Sequence, residues 1–176
     1  MKGTITRCAK ELVESRFGED KWQAILDDAG VDQETRHRLS YPTTDIDDSL
    51  TKAILRSTGT VLGLSPEQVA DAFGEYWCCE YAPRIYASIL TRFQSAREMI
   101  LAMDKVHVQL TATIENARPP RFDYQWQDDN TLIVTYKSFR GLIDLYRGLV
   151  LGVGKLFNEP LQATKIDNTR VEIVFG

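Results

Sequence analysis

Pro119-Pro120 divides this chain into two sequence textures. Upstream, apolar residues recur every three to four positions, the period of a helix with one buried face. Downstream, two short apolar segments flank Asp128-Asp129-Asn130 and two more flank Asp167-Asn168-Thr169, each a hairpin signal. A helical run followed by hairpins predicts an α+β fold. It has a helical N-terminal lobe and a C-terminal lobe with helices and a small antiparallel sheet of about four strands.

The helical texture resolves into segments. Residues 2–17 carry Ile5, Ala9, Leu12 and Val13 at helical spacing and stop at Gly18; residues 20–29 place Trp22, Ile25 and Leu26 on one side and stop at Gly30. A short helix is expected over 33–39, ended by Tyr41-Pro42. Asp47 caps a helix running through Ile54 and Leu55 toward Leu62. Ser65-Pro66-Glu67 is a cap, a first-turn proline and an acid; that helix carries Val69, Phe73 and Trp77 and breaks near Ala82-Pro83. Further helices are expected over 85–93 and 96–115, the second closed by Asn116 and the two prolines. Strands over 121–127, 131–137, 161–166 and 170–175, with a helix over 141–157, complete the chain. The expected organisation is one domain over residues 1–176, with a helical subdomain over roughly 1–62 and an α+β subdomain over roughly 63–176.

A chain of 176 residues can bury a core and a pocket, and a net charge of −4 lacks the basic excess of a nucleic-acid binder. No apolar run approaches the roughly 20 residues of a membrane span. The opening Met1-Lys2-Gly3-Thr4-Ile5-Thr6 has no signal-peptide core, so a cytoplasmic protein without a membrane partner is expected. Cys8, Cys78 and Cys79 form neither a disulfide framework nor a CxxC zinc pattern, and a bridge between the adjacent pair would be strained. They read as reduced thiols.

Two groups of residues carry chemistry. If Tyr136-Lys137-Ser138-Phe139-Arg140 is extended, Tyr136, Ser138 and Arg140 share a face. Two hydroxyls and a guanidinium suit a carboxylate. His107 lies in an apolar stripe with Ile100, Met103, Leu110 and Ile114. Such a residue is either a satisfied core histidine or a neutral imidazole facing a cavity, and the latter is ready to ligate iron. His37, in the polar run Gln33-Glu34-Thr35-Arg36, reads as a surface residue and leaves a single axial histidine. A carboxylate clamp and a lone apolar-face histidine together match a non-covalent heme, which needs an axial ligand and an anchor for its propionates.

These residues resemble the H-NOX (heme-nitric oxide/oxygen binding) family, which includes bacterial gas sensors and the heme domain of soluble guanylate cyclases. The resemblance runs through Met1-Lys2-Gly3, Tyr41-Pro42, Phe73-Gly74, Met103-Asp104-Lys105-Val106-His107, Ala117-Arg118-Pro119-Pro120-Arg121, the Tyr136, Ser138 and Arg140 motif, and Gly148-Leu149. It implies heme b (iron protoporphyrin IX) between the two lobes. It further implies His107 as the proximal iron ligand, Tyr136, Ser138 and Arg140 as the propionate clamp, and Pro120 and Ile5 pressing on the porphyrin. Met103 and Cys78 are expected beside the cofactor.

Oxygen-binding members of the family place a tyrosine hydroxyl over the iron. Counted from Tyr136, that position is Leu145, and Tyr146 points about 100° away around the helix. A pocket of Leu145, Ile5 and Ala9 offers no strong donor to dioxygen, so nitric oxide and CO binding is expected, with poor stable oxygen binding. Trp77 reads as packing, its indole N–H being the alternative donor. The implied function is a non-enzymatic gas sensor. It would release its proximal histidine on binding nitric oxide and signal to a separate effector, a histidine kinase or a cyclic-di-GMP enzyme. The competing expectations are an oxygen-binding or heme-enzyme member, and a heme-less thiol or interaction module using Cys8, Cys78 or Cys79.

Overall fold

The computed structural model describes residues 3–39, 41, 45–115 and 117–176. The expected helix start at Lys2 and the stops at Pro42 and Asn116 lie outside the described residues. The chain divides into two compact units, Met1–Val69 and Ala70–Gly176.

In the first unit, caps and glycines set the helix ends. α1 (Thr4–Phe17) stops at Gly18, whose φ of 93° suits a residue without a side chain, and α2 (Glu19–Asp28) follows at once. α3 (Gln33–Leu39) begins beside Asp32, whose carboxylate accepts from Thr35 N–H at 2.7 Å. Asp47 accepts from Ser49 N–H at 2.7 Å and starts α4 (Asp48–Leu62). Leu12, Val13, Trp22, Ile25, Leu26 and Ile54 are buried where α1, α2 and α4 meet.

α5 (Pro66–Tyr76) opens on a reciprocal cap: Gln68 N–H donates to Ser65 Oγ at 3.2 Å and Ser65 N–H to Gln68 Oε1 at 2.8 Å. The expected break at Ala82-Pro83 is instead a widening. Trp77–Tyr81 forms a π-helical turn in which Ala82 N–H bonds back to Trp77 O. Proline cannot donate to the carbonyl four residues earlier, and the wider turn accommodates it without ending the rod. The single helix expected over 85–93 is two short ones, α6 (Ala82–Ile85) and α7 (Ala87–Leu90), separated by Tyr86 at φ −119°, ψ 25°.

α8 (Ala96–Thr111) starts at the Ser95 cap and ends earlier than expected. Thr111 Oγ1 donates to His107 O at 2.7 Å, and the β-branched Thr113 and Ile114 give little support for a further turn.

The sheet has four antiparallel strands, β1 (Arg121–Trp126), β2 (Thr131–Lys137), β3 (Leu161–Lys165) and β4 (Arg170–Phe175), in the order β1-β2-β4-β3. Phe122 pairs with Tyr136, Val134 with Val171, and Leu132 with Ile173. These residues make one apolar face. Met99 and Ile100 of α8 pack into the same core, together with Ile143, Tyr146, Val150 and Val153 of α9 (Ile143–Phe157).

The other side of α9 lies against α5. A Cβ on Gly148 would stand 2.1 Å from Ala70 O, and one on Gly152 would stand 2.2 Å from Gly74 O. The two helices therefore meet backbone to backbone. Arg147–Asp71 at 2.5 Å and a Lys155–Glu75 ion pair flank the contact.

Candidate functional site

His107 sits on the last two turns of α8, half-buried. Its ring lies 5.6 Å from the Phe122 ring. Phe122 in turn stacks on Tyr146 at 4.9 Å and contacts Tyr136 at 5.9 Å. The imidazole thus stands at the edge of an aromatic layer drawn from β1, β2 and α9. His107 Nδ1 is buried with no hydrogen-bond partner among the described residues. Burial pushes its pKa below the ordinary 6.5, against the opposing pull of the Pro120 backbone and the Asp104 charge. The ring is held neutral, the form that ligates a metal.

A second set of contacts fixes the helix that carries it. Asp104, one turn before His107, accepts from Arg121 Nε at 2.8 Å and Arg121 Nη2 at 2.7 Å, and from Phe122 N–H at 2.9 Å. The Arg121 hydrogen bond and the Phe122 N–H hold its carboxyl down at about 2. Tyr124 Oη donates to Ile100 O at 2.9 Å. α8 is therefore tied to β1 on both sides of Met103, which packs partly buried against the core. Asp104, Arg121, Phe122 and Tyr124 belong to no chemical motif that spacing alone reveals. The one available signal was the placing of Asp104 three residues before His107 and of Arg121 immediately after Pro120.

The expected extended clamp needs correction. β2 ends at Lys137, so of the three residues only Tyr136 lies on the strand, buried. Ser138 to Gly141 is a turn. Gly141 has φ 62°, and its N–H reaches Ser138 O at 3.4 Å. Ser138 Oγ accepts from Arg140 N–H at 3.3 Å, which leaves its own proton to donate. Arg140 Nη1 donates to Arg118 O, two residues before the half-buried Pro120. The turn, rather than strand alternation, sets the positions of Ser138 and Arg140, and it ties Arg140 to the segment between His107 and β1.

On α9, Leu145 is 7% exposed and lies outside the sheet-facing core cluster, whereas Tyr146 lies inside it. Tyr146 packs on Phe122 and on Tyr136, at 5.6 Å from the latter, so its ring is committed to the aromatic layer. Trp77 is stacked between Phe73 at 5.8 Å and Tyr81 at 5.3 Å. Cys78 is buried, its Sγ 3.6 Å from Leu149 O, and burial pushes its thiol far above the ordinary range, with the neighbouring Cys79 adding to the shift. A protonated thiol is a poor metal ligand. Ile5 lies half-buried on α1 in the first unit.

The chemistry of this donor set fits a heme. A neutral imidazole has an unsatisfied buried nitrogen, and Leu110 on α8 and Ile114 just beyond its end are exposed apolar surface. Among the described residues no three His, Cys, Asp or Glu side chains gather into a metal site of their own. A single histidine beside apolar surface, with an arginine and hydroxyls nearby, suits iron held in a macrocycle with acidic tails.

The wider comparisons agree. The chain is 26% identical over 161 residues to the soluble guanylate cyclase gcy-34 of Caenorhabditis elegans, covering 89% of this chain and 23% of that protein. It is 23% identical over 176 residues to gcy-35 of the same organism, covering 98% of this chain and 25% of that protein. The chain thus spans about a quarter of the length of these relatives. The fold matches the H-NOX protein of S. oneidensis in the Fe(II)NO ligation state with a TM-score of 0.84, at 18% identity and covering 99% of this chain and 98% of that one. It matches the unliganded Fe(II) H-NOX protein of K. algicida with a TM-score of 0.83, at 21% identity and covering 100% and 96%. No helix among the described residues is long and apolar enough to cross a membrane. A family model described as Haem-NO-binding matches residues 2–165, and this chain therefore belongs to that family of heme-binding sensor domains.

Proposed function

We propose that this chain is a cytoplasmic gas sensor that binds nitric oxide and CO at a ferrous heme b and signals by release of His107. His107 would hold the iron. Tyr136, Ser138 and Arg140 would hold the propionates, with Pro120, Ile5, Met103 and Cys78 beside the ring. Leu145 would line the gas pocket. When bound, the heme supplies an iron with one position open to a diatomic gas. The observation that carries this reading is the buried, partnerless His107 Nδ1 in a ring held neutral.

The chain's own residues account for the rest. Leu145 brings no donor, and Tyr146 is committed to Phe122 and Tyr136, so a gas that depends on a distal hydrogen bond gains nothing here. Nitric oxide and CO are favoured over dioxygen on that ground. Asp104 and Tyr124 hold α8 on β1 through contacts that do not involve His107, so its release would free the imidazole and the end of α8 rather than the whole helix. That is a local two-state element biased by a ligand. The effector would be a separate or attached enzyme: a histidine kinase, a cyclic-di-GMP enzyme or, as the names of the relatives suggest, a nucleotide cyclase.

The test is optical. The apoprotein is loaded with hemin and reduced, and its spectrum is recorded before and after nitric oxide, beside His107→Gly with and without imidazole. The wild type should show a histidine-ligated ferrous spectrum that loses its histidine signature with nitric oxide. His107→Gly should regain the wild-type ferrous spectrum only with imidazole. Hemin uptake and spectra unchanged in His107→Gly without imidazole would overturn the assignment.

A further inference from the structure

Phe139 is the residue the clamp motif leaves open, and it is 67% exposed. An exposed phenylalanine at the tip of a turn contributes little through burial. It does have a specific partner: Arg140 Cζ lies 4.6 Å from the centre of its ring, within the range of a cation–π contact. Arg140 Nη1 meanwhile donates to the Arg118 carbonyl, and its backbone N–H donates to Ser138 Oγ. The guanidinium therefore has a ring against its face and a carbonyl at one edge, while the residue's backbone is fixed by the Ser138 hydroxyl.

From this geometry we infer that Phe139 is a positioning residue, whose ring sets the plane of the Arg140 guanidinium before an acidic ligand arrives. This rests on the heme reading above, which makes the propionates that ligand. An arginine on an exposed turn otherwise samples many rotamers, and each must be given up on binding. A planar fork stacked on a ring and hydrogen-bonded to the Arg118 carbonyl has already lost much of that freedom, so the bound state is favoured. The ring acts through Arg140 and needs no contact with the ligand.

The experiment measures transfer of hemin from the loaded protein to excess apomyoglobin, for wild type, Phe139→Leu and Phe139→Trp, each also in an Arg140→Ala background. Leucine keeps an apolar side chain but removes the π face. Phe139→Leu should release hemin about two- to fivefold faster, the worth of an exposed cation–π contact, and Phe139→Trp should stay near wild type. Without Arg140, Phe139→Leu should make no further difference. With the dimethyl ester of the porphyrin, which lacks the charged tails, wild type and Phe139→Leu should release at one rate. In the apoprotein, the Arg140 Nε–H resonance in a nitrogen–proton spectrum should weaken or broaden in Phe139→Leu and persist in Phe139→Trp.

A wild type that takes up no hemin sinks the heme reading, and the apoprotein resonance then still decides whether Phe139 orders Arg140. Equal release from wild type and Phe139→Leu, in a protein that does bind hemin, sinks the positioning role alone. So does an equal acceleration by leucine and tryptophan, since that would report only disturbance of the turn.

Discussion

Asp104 and Arg121 form a two-point pair across α8 and β1, with Nε to Oδ1 at 2.8 Å and Nη2 to Oδ2 at 2.7 Å. Asp104→Ala should cost about 1–2 kcal/mol in urea unfolding, because the Phe122 N–H loses its acceptor along with the arginine, while the exposed Arg121 returns to water. The carboxyl is held at about 2 against an ordinary 3.8. Its contribution should therefore be full above pH 3.8 and shrink as pH falls through about 2. A gap between wild type and variant that grew on acidification would contradict the pairing.

His107 gives the apoprotein a slope in a different window. Its pKa is depressed from 6.5, so the unfolded chain takes up the proton first and stability falls as pH drops below 6.5. His107→Gln should flatten that part of the curve. Unfolding midpoints of both apoproteins at pH values on either side of 6.5 provide the check. Parallel curves would mean that the imidazole is not buried neutral.

Gly148→Ala reverses a familiar rule. In an open helix the change gains roughly 1 kcal/mol. Here the new carbon would stand 2.1 Å from the Ala70 carbonyl oxygen, and backbone rather than a flexible side chain has to give. A loss of about 1–3 kcal/mol in denaturant unfolding is expected, as for other overpacked sites. A stabilised variant would show that the helices stand further apart.

The cysteines should separate by reactivity. Cys8 and Cys78 are buried and Cys79 is exposed. In the folded protein a disulfide reagent should label one thiol readily, and Cys79→Ser should abolish that phase. Cys79 should itself react more slowly than a free cysteine, because desolvation and the Glu75 charge raise its pKa. Fast labelling of Cys78 would mean that its sulfur leaves the Leu149 carbonyl.

Much of this was legible in the sequence, and the gaps have physical causes. The bounds of β2 and β4 follow from the turn residues Asp128-Asp129-Asn130 and Asp167-Asn168-Thr169 that precede them; β4 then alternates buried and partly exposed, whereas β2 buries Leu132, Ile133 and Val134 in a row. The reach of the clamp was misread for a reason visible in hindsight: Gly141 takes φ 62° and folds Ser138 to Arg140 into a turn, where alternation alone suggested a continued strand. The π turn at Trp77–Tyr81 was hidden because proline signals disruption without saying whether a helix ends or widens. Asp104 and Arg121 meet only because α8 crosses β1, and no local spacing rule pairs residues 17 positions apart. His107 and Tyr136 lie in the helix and the strand that periodicity assigned to them, whereas Leu145 was reached only by counting from Tyr136 along the family resemblance.

The glycines on α9 leave little but backbone between Gly148 and Ala70 and between Gly152 and Gly74, with the Cys78 sulfur the one side-chain atom beside Gly152. Ordinary helix pairs are separated by side chains that can change rotamer and absorb a shift of an ångström. Here carbonyl oxygen faces glycine Cα, so that cushion of side chains is missing and the two rods are braced directly against each other, like two bones of a fused joint.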